Sequence, residues 1–364
     1  MAKGKDKAGG SKKEEQTNYD PSILHNTYVQ ACNSIGIKPY GFETNDSGEQ
    51  IIITGSSKKE NDRLSSGGCR ALMKALSGKL VRGDVLSTVE PFTSLKDLRI
   101  RSSNIQDTGA LAVATFLRAT AEVKTPKEAS EEKATTAQPQ WKLQYLDLSD
   151  NVIGHQGALQ IGRSLEVGMN KTLSTLILDF NPLGSAGALS LCKGISTNSS
   201  LKVLSIRHCD ITNSTEGDEP IFCAMLSFKR LALATLDLSS NRLEGKGLKE
   251  QLCSGLEQNS SLTTLRLADN NVRQTDEDVA ALEEFGKVLS RNSTLTDIDL
   301  NNNLIGSKGG KCLLHYVSEN KHITTFKVSE IGMDTETYTA LFRVSNVAKG
   351  KGKKKGKKES SKKK

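Results

Sequence analysis

One eleven-position pattern, L-x-x-L-x-L-x-x-N-x-L, occurs eight times along this chain of 364 residues. Five copies keep Asn at its marked position and Leu, Ile or Val at every L, and after a first gap of 48 residues the copies follow one another at intervals of 28–33 residues. Self-similarity at a fixed period of this length predicts a solenoid in which each repeat packs only against its neighbours. The copies begin at Leu95, Leu143, Leu173, Leu201, Leu233, Leu262, Leu295 and Ile323.

Each repeat combines a short strand with a helix. In the copy that begins at Leu143, Leu146 and Leu148 alternate with Tyr145 and Asp147, so the two pairs point to opposite sides of a strand. Asn151 follows, where its side chain is expected to bond backbone groups of neighbouring repeats. Apolar residues at three- and four-residue steps then indicate a helix. The prediction is an α/β horseshoe with parallel strands on the concave face and helices on the convex face.

Two segments carry a family resemblance: YLDLSDNVIGHQGA at 145–158 and TLDLSSNRLEGKG at 235–247. They resemble leucine-rich repeats of the ribonuclease-inhibitor type, and the resemblance covers about residues 64–345. It implies the horseshoe and a protein-binding role. Members of this subfamily include ribonuclease inhibitor, the Ran GTPase-activating protein, the C-terminal domain of tropomodulin, arms of nucleotide-sensing receptors, and ciliary scaffold proteins.

The domain boundaries follow from composition. We expect a disordered basic arm at 1–16, an N-terminal cap and first helix at 17–94, and the solenoid at 95–345. A polar insertion near 121–140 and a Lys-rich tail at 346–364 are also expected to be disordered. In the cap, Ile51–Ile53 is predicted as a strand and Gly68–Leu80 as a helix. Just past three repeat helices, Asn198, Asn259 and Asn292 are predicted to form left-handed caps.

The basic character of the chain comes from its tail. Residues 349–364 contain ten Lys and one Glu, a contribution of +9, so a net charge of +8 leaves −1 for residues 1–348. Such a tail suits salt-sensitive contact with acidic surfaces, for example those of tubulin or other axonemal subunits, and it also suits nuclear import. The alternative interpretation is that the tail is only a solvating, low-complexity segment without a binding role. The tail residues singled out are Lys353, Lys354, Lys355, Lys357 and Lys358.

Outward positions on the predicted strands map a candidate partner-binding face. Arg99 and Arg101 form a basic pair at its N-terminal end, and Arg207 adds a further basic residue in the fourth repeat. Tyr145, Ile177 and Phe180 are predicted to cluster as a small hot spot. Acids recur through the rest of the face, which predicts a partner with basic segments. The acids are Asp147, Asp150, Asp179, Asp237, Asp269, Asp297 and Asp299.

Other function classes lack their motifs. The sequence contains no G-x-x-x-x-G-K-[ST], G-x-S-x-G or H-E-x-x-H, so we predict no enzyme, cofactor or metal site. We also expect no membrane span and no specific nucleic-acid binding. The leading hypothesis is a cytoplasmic scaffold of a cytoskeletal assembly, with the cilium or flagellum as the first case. The alternative is a GTPase regulator of the Ran GTPase-activating type, in which Arg99 and Arg101 contact a small GTPase. That family carries an acidic C-terminal region, whereas this chain ends in a basic one.

Overall fold

The structure is a computed structural model, and it describes residues 20–56, 62–82, 85–119, 141–167, 169–213 and 219–342. The predicted arm at 1–16, the insertion at 121–140 and the tail at 346–364 lie outside these ranges. Within the described residues, ten strands form one sheet in the order β1-β2-β5-β6-β7-β8-β9-β10-β11-β12. The strands are β1 (Glu43–Thr44), β2 (Gln50–Thr54), β3 (Lys79–Arg82), β4 (Val85–Thr88), β5 (Asp97–Arg101), β6 (Tyr145–Asp147), β7 (Thr175–Ile177), β8 (Val203–Ser205), β9 (Thr235–Asp237), β10 (Thr264–Arg266), β11 (Asp297–Leu300) and β12 (Thr325–Val328).

In this sheet, all strands that lie side by side are parallel, apart from β1, which pairs antiparallel with β2. The strands β3 and β4 lie outside this sheet and pair with each other. Parallel pairing of sequence neighbours requires a crossover after each strand, and helices supply most of these crossovers. The helices are α1 (Pro21–Ser34), α2 (Ser65–Leu76), α3 (Gln106–Ala119), α4 (His155–Ser164), α5 (Gly184–Ile195), α6 (Cys223–Leu226), α7 (Glu244–Gly247), α8 (Ser254–Gln258), α9 (Asp276–Arg291) and α10 (Gly306–Val317), and a π-helical turn, Leu248–Cys253, joins α7 to α8. The α/β solenoid predicted from the repeats is confirmed.

The apolar positions of the repeat pattern form the core between sheet and helices. Leu146, Leu148 and Ile153 are completely buried, and Ala158 and Ile161 of α4 face them from the helix side. Equivalent residues are buried in the other repeats. One continuous apolar core therefore runs along the solenoid, and burial of these side chains is its main source of stability.

The predicted asparagine ladder joins consecutive repeats. The Asn181 side-chain amide donates to the carbonyls of Leu148 and Leu178, both at 2.9 Å, and its Oδ1 accepts the backbone N–H of Asn151 at 2.9 Å. The Asn241 side chain makes the same bonds in its own repeat. Cys209 takes this position in the repeat between them, and its Sγ lies 3.3 Å from the carbonyl oxygen of Leu178.

Two local predictions are wrong. The helix predicted for Gly68–Leu80 ends at Leu76, because Gly78 adopts a φ of +68° and the chain then forms the β3–β4 hairpin. Asn259 and Asn292 are not left-handed, since their φ angles are −78° and −69°. Instead, their buried side chains form a second ladder. The Asn292 amide donates to the Leu256 carbonyl at 3.0 Å, and its Oδ1 accepts the N–H of Leu295 at 2.9 Å.

Candidate functional site

The candidate site is the open face, defined as the sheet surface that carries the outward residues of the strands opposite the core. Strand register places these residues in continuous rows across the sheet. We call one of them the central row. From β5 to β12, the central row consists of Arg99, Asp147, Ile177, Ser205, Asp237, Arg266, Asp299 and Lys327.

Three of the seven predicted acids of the open face, Asp147, Asp179 and Asp237, are buried, which corrects the prediction of an exposed acidic face for this part of the sheet. The Asp147 and Asp237 side chains are only 2% and 6% exposed, and Asp179 is also buried. Asp147 and Asp237 each accept a hydrogen bond from the backbone N–H two residues later, that of Ser149 and that of Ser239. Asp179 accepts one from the backbone N–H of Arg207 in the next repeat. These hydrogen bonds satisfy backbone donors where the strands end, so the acids stabilise the turns.

The two arginines at the N-terminal end are held by carboxylates of this chain. The Arg99 guanidinium forms two hydrogen bonds to Asp97, at 2.9 and 2.7 Å, and stacks 4.7 Å from the centre of the Tyr145 ring. Its hydrogen bond to Asp97 raises the pKa of Arg99, and burial raises the pKa of Tyr145. Arg101 binds the buried carboxylate of Asp147. Because both arginines are already paired with acids of this chain, these contacts do not favour a role for Arg99 and Arg101 in binding a small GTPase. That role stays a prediction.

In the middle of the face, two guanidinium groups share one carboxylate. Arg207 Nε lies 4.0 Å and Arg266 Nη1 3.3 Å from Oδ2 of Asp237. Register explains the arrangement, because Asp237 stands beside Ser205 on one side and Arg266 on the other. The side chains of Arg207 and Arg266 are 44% and 53% exposed. The solvent-facing layer is therefore cationic here, and the acid lies beneath it.

The C-terminal end of the face keeps accessible acids. Asp297 and Asp299 on β11 are half-buried, and Lys327 Nζ on β12 lies 3.3 Å from Asp299 Oδ2. Thr296 Oγ1 donates to Asp297 at 2.7 Å, and the N–H of Asn301 donates to Asp299 at 3.0 Å. The predicted acidic character therefore applies to this end, with two acids against one lysine.

The predicted hot spot of Tyr145, Ile177 and Phe180 divides into separate contacts. Tyr145 lies beneath Arg99, and Ile177 stands in the central row between Asp147 and Ser205. Phe180 lies beyond the end of β7 and packs on the His208 ring, with 5.1 Å between ring centres. Phe180 is 52% exposed. His208 occupies the same repeat position as Phe180, and the sequence places it on the same face but does not predict its contact with Phe180.

Phe180 and His208 belong to a row of residues that we call the rim. Each rim residue directly precedes the position of the asparagine ladder in its repeat, just after the strand ends. Each rim residue has a φ near +50 to +60°, a conformation that favours Asn, Asp and Gly. Asp150 and Asp269 of the candidate face are rim residues and are exposed. The rim comprises Ser102, Asp150, Phe180, His208, Ser240, Asp269 and Asn302.

Comparison with known proteins supports the same repeat units. A family model described as Leucine Rich repeat matches residues 93–114, 142–162, 170–192, 197–214, 233–250, 258–282 and 291–314. Ribonuclease inhibitor of Mus musculus is 27% identical over 233 residues, which cover 62% of this chain and 43% of the relative. The chain is a leucine-rich-repeat protein of the ribonuclease-inhibitor type.

A second relative matches this leucine-rich-repeat protein over a shorter stretch at higher identity. NACHT, LRR and PYD domains-containing protein 12 of Mus musculus is 34% identical over 151 residues, covering 41% of this chain and 14% of the relative. The chain thus spans less than half the length of either relative. Among solved structures, the tropomodulin C-terminal domain of Caenorhabditis elegans matches with a TM-score of 0.33 and 12% identity, over 56% of this chain and 99% of that one.

The cysteines of this leucine-rich-repeat protein are free thiols, and six of the seven are buried. Burial raises the pKa of Cys69, Cys192, Cys209 and Cys253 to about 12. In the described ranges, no group of three His, Cys, Asp or Glu side chains is placed to hold a metal ion. Nor does any helix of those ranges have both the length and the apolar character to cross a membrane. The tail lysines from Lys353 to Lys358 lie outside the described residues.

Proposed function

We propose that this chain is a non-catalytic scaffold that binds a partner protein on the open face of its sheet. The observation that carries the proposal is the face itself, where register aligns side chains of successive repeats into rows. Solenoids commonly bind partners along such extended surfaces. At the rim of the face, Phe180 is a half-exposed aromatic side chain, and aromatic residues are enriched at protein interfaces.

The chemistry of the carboxylates supports a binding role over catalysis. A catalytic acid or base needs an environment that tunes its pKa and a position from which it reaches a substrate. Asp147 and Asp237 instead accept backbone N–H groups and bind arginines. Asp297 and Asp299 accept the Thr296 hydroxyl and the Asn301 N–H on an open surface. All four therefore have structural partners.

We further propose that the scaffold is a docking subunit of a cytoskeletal assembly, with the ciliary axoneme as the first case. The charge layout supports this: a body near neutrality is joined to a segment with ten Lys and one Glu. Such a segment attracts acidic surfaces, including those of tubulin, in a salt-sensitive manner. The folded body would then hold a second protein beside the filament, in the cytoplasm or cilium.

Detergent extraction of the native cells tests this proposal. The tagged full-length chain should remain in the cytoskeletal or axonemal fraction at low salt and be released at high salt. Replacing Lys353, Lys354, Lys355, Lys357 and Lys358 with Gln should release it at low salt, because the electrostatic contact is lost. A matched control replaces five lysines of the N-terminal arm with Gln and should stay bound. The control lysines are Lys3, Lys5, Lys7, Lys12 and Lys13.

The binding role of the face is tested separately. Tyr145→Ala combined with Phe180→Asn should reduce the partner proteins recovered with the tagged chain while leaving its thermal unfolding cooperative. Unchanged recovery would move the binding surface away from the open face.

If the wild-type chain is instead extracted into the soluble or nuclear-envelope fraction at low salt, the cytoskeletal proposal fails, and a GTP hydrolysis assay with small GTPases becomes the next experiment.

A further inference from the structure

The charges of the open face are arranged in two layers. Where an arginine pairs with an aspartate of the central row, the aspartate side chain is almost fully buried and the arginine is substantially exposed. Asp147 is 2% exposed beneath Arg101 at 38%, and Asp237 is 6% exposed beneath Arg207 and Arg266 at 44% and 53%. A partner that approaches the face at these two places meets guanidinium groups before carboxylates.

The pair formed by Arg207 and Arg266 has unused hydrogen-bonding capacity. Each guanidinium has five N–H donors, and both groups approach the same oxygen, Oδ2 of Asp237, at 4.0 and 3.3 Å. Asp237 neutralises one of the two positive charges, and Asp299, which stands beside Arg266 in the central row, pairs with Lys327. The other acid near Arg207 is Asp179, whose buried oxygen accepts the Ser205 hydroxyl and the Arg207 N–H, and burial raises its pKa. Guanidinium donors therefore remain available to a carboxylate from outside, with which arginine forms bidentate pairs.

An aromatic platform adjoins the two arginines. The backbone N–H of Phe180 donates to the carbonyl of Arg207 at 2.9 Å, and the next residue, His208, packs its ring on Phe180. The Phe180 backbone has a φ of +58°, a conformation that is unfavourable for a bulky residue and would suit Asn better. A half-exposed phenylalanine kept in this conformation is of the kind that occurs at functional sites.

We infer that the open face takes up an acidic peptide segment of the partner, with its carboxylates on Arg207 and Arg266 and an apolar side chain against Phe180 and His208. This inference rests on the proposed function and names the chemistry of the partner. It reverses the sequence-based expectation of a basic partner, because the acids on which that expectation relied are buried at this place.

The surrounding acids limit where the segment binds. Asp299 on β11 stands between Arg266 and Lys327 in the central row, and Asp297 lies two residues before it, so these two half-buried acids repel carboxylates at the C-terminal end of the face. On the rim, Asp269 is exposed and Asp210, just beyond the rim, forms an ion pair with Arg242. Repulsion by these groups favours a position of the acidic segment over β7–β10, around Phe180 and Arg207 and on the side of Arg266 that faces away from Asp299.

A direct test uses the full-length chain and fluorescein-labelled peptides. The first peptide contains several glutamates around one leucine, and the second contains lysines in place of the glutamates. Fluorescence anisotropy should show that the glutamate peptide binds more tightly. Arg207→Gln with Arg266→Gln should weaken its binding by about tenfold, because two charge-assisted contacts are lost. The matched control, Arg163→Gln with Arg291→Gln, removes two arginines from the helices α4 and α9 and keeps the tail contribution constant.

A second variant makes the test independent of any loss of folding. Phe180→Asn suits the left-handed backbone, so the fold should be kept while the apolar contact is lost. It should weaken binding of the glutamate–leucine peptide about threefold and leave an all-glutamate peptide unaffected, a loss of the size expected for one small apolar contact. The melting temperature of every variant is recorded so that binding is compared only between folded proteins.

The outcomes separate this inference from the proposed function. Equal weakening in the Arg207/Arg266 and Arg163/Arg291 variants, or tighter binding of the lysine peptide, would overturn the acidic-segment inference. If the Tyr145/Phe180 variant of the preceding section still loses its native partners, the open face remains the binding surface for a partner of different chemistry. If that variant keeps its partners, the binding role of the face fails as well.

Discussion

The guanidinium of Arg101 binds the carboxylate of Asp147 with Nε 2.6 Å from Oδ2, although 46 residues separate the two in the chain. Asp147 also accepts the N–H and hydroxyl of Ser149, so its buried carboxylate joins the strand of one repeat to the turn of the next. Replacing Arg101 with Gln should therefore lower the free energy of unfolding by about 1–2 kcal/mol, because a nearly buried charge loses its counter-ion. Urea denaturation measures the change.

Arg163→Gln provides the control for Arg101→Gln. Arg163 is an exposed residue near the end of α4, and its replacement removes the same charge without unpairing a buried carboxylate. We expect a change within about 0.5 kcal/mol for this surface substitution. An equal effect of the two substitutions would mean that Asp147 tolerates the loss of Arg101.

The asparagine ladder is the second test of how repeats are joined. The Asn241 side chain donates to the carbonyls of Ile206 and Leu238 and accepts the N–H groups of Cys209 and Ile211. Asn241→Ala removes these bonds and leaves buried backbone groups unpaired, which should cost roughly 1–3 kcal/mol. Asn26→Ala, on the exposed surface of α1, should leave the thermal melt unchanged. A melt of Asn241→Ala that matches the wild type would contradict the role of the ladder.

Val152 combines exposure with an unfavourable backbone conformation. This β-branched residue has a φ of +57° and is 52% exposed, so it gains little from burial while its backbone stays strained. Asn adopts this conformation more readily, and Val152→Asn should raise the free energy of unfolding by about 1 kcal/mol. Val167→Asn is the control, because Val167 is 72% exposed and has a negative φ. Stabilisation of both variants alike would show that lower surface hydrophobicity, and not backbone strain, is the cause.

The sequence predicts the repeats well because their pattern is local. Leu146, Leu148 and Asn151 lie within six positions, and alternation along a strand determines which side each faces. The same alternation suggested that Asp147 and Asp237 are exposed, and this was wrong. Their burial depends on arginines from neighbouring repeats. Which residues of two adjacent strands stand side by side depends on the strand register, and the connections between the strands differ in length. The pairing of Phe180 with His208 was missed for the same reason.

Asp179 supplies a prediction about pH. Burial raises its pKa above the ordinary value of 3.8, so the folded state binds the proton more tightly than the unfolded chain does. The contribution of Asp179 to stability therefore falls as the pH rises from 3.8 towards the raised pKa of the folded state. Asp179→Asn removes the charge and keeps a carbonyl oxygen in place of Oδ1, the atom that accepts both the Ser205 hydroxyl and the Arg207 N–H.

The stability of Asp179→Asn relative to the wild type should accordingly increase with pH over this window and then level off. Urea unfolding at several pH values between about 3.5 and 7 measures the difference, since the window follows from the unfolded and folded pKa values. Asp150→Asn is the matched control, because Asp150 is exposed and its φ of +54° suits Asn equally well. If the relative stability of Asp179→Asn instead decreases as the pH rises, attraction to Arg207 outweighs the cost of burying the carboxylate, and Asp179 stabilises the fold in its ionised form.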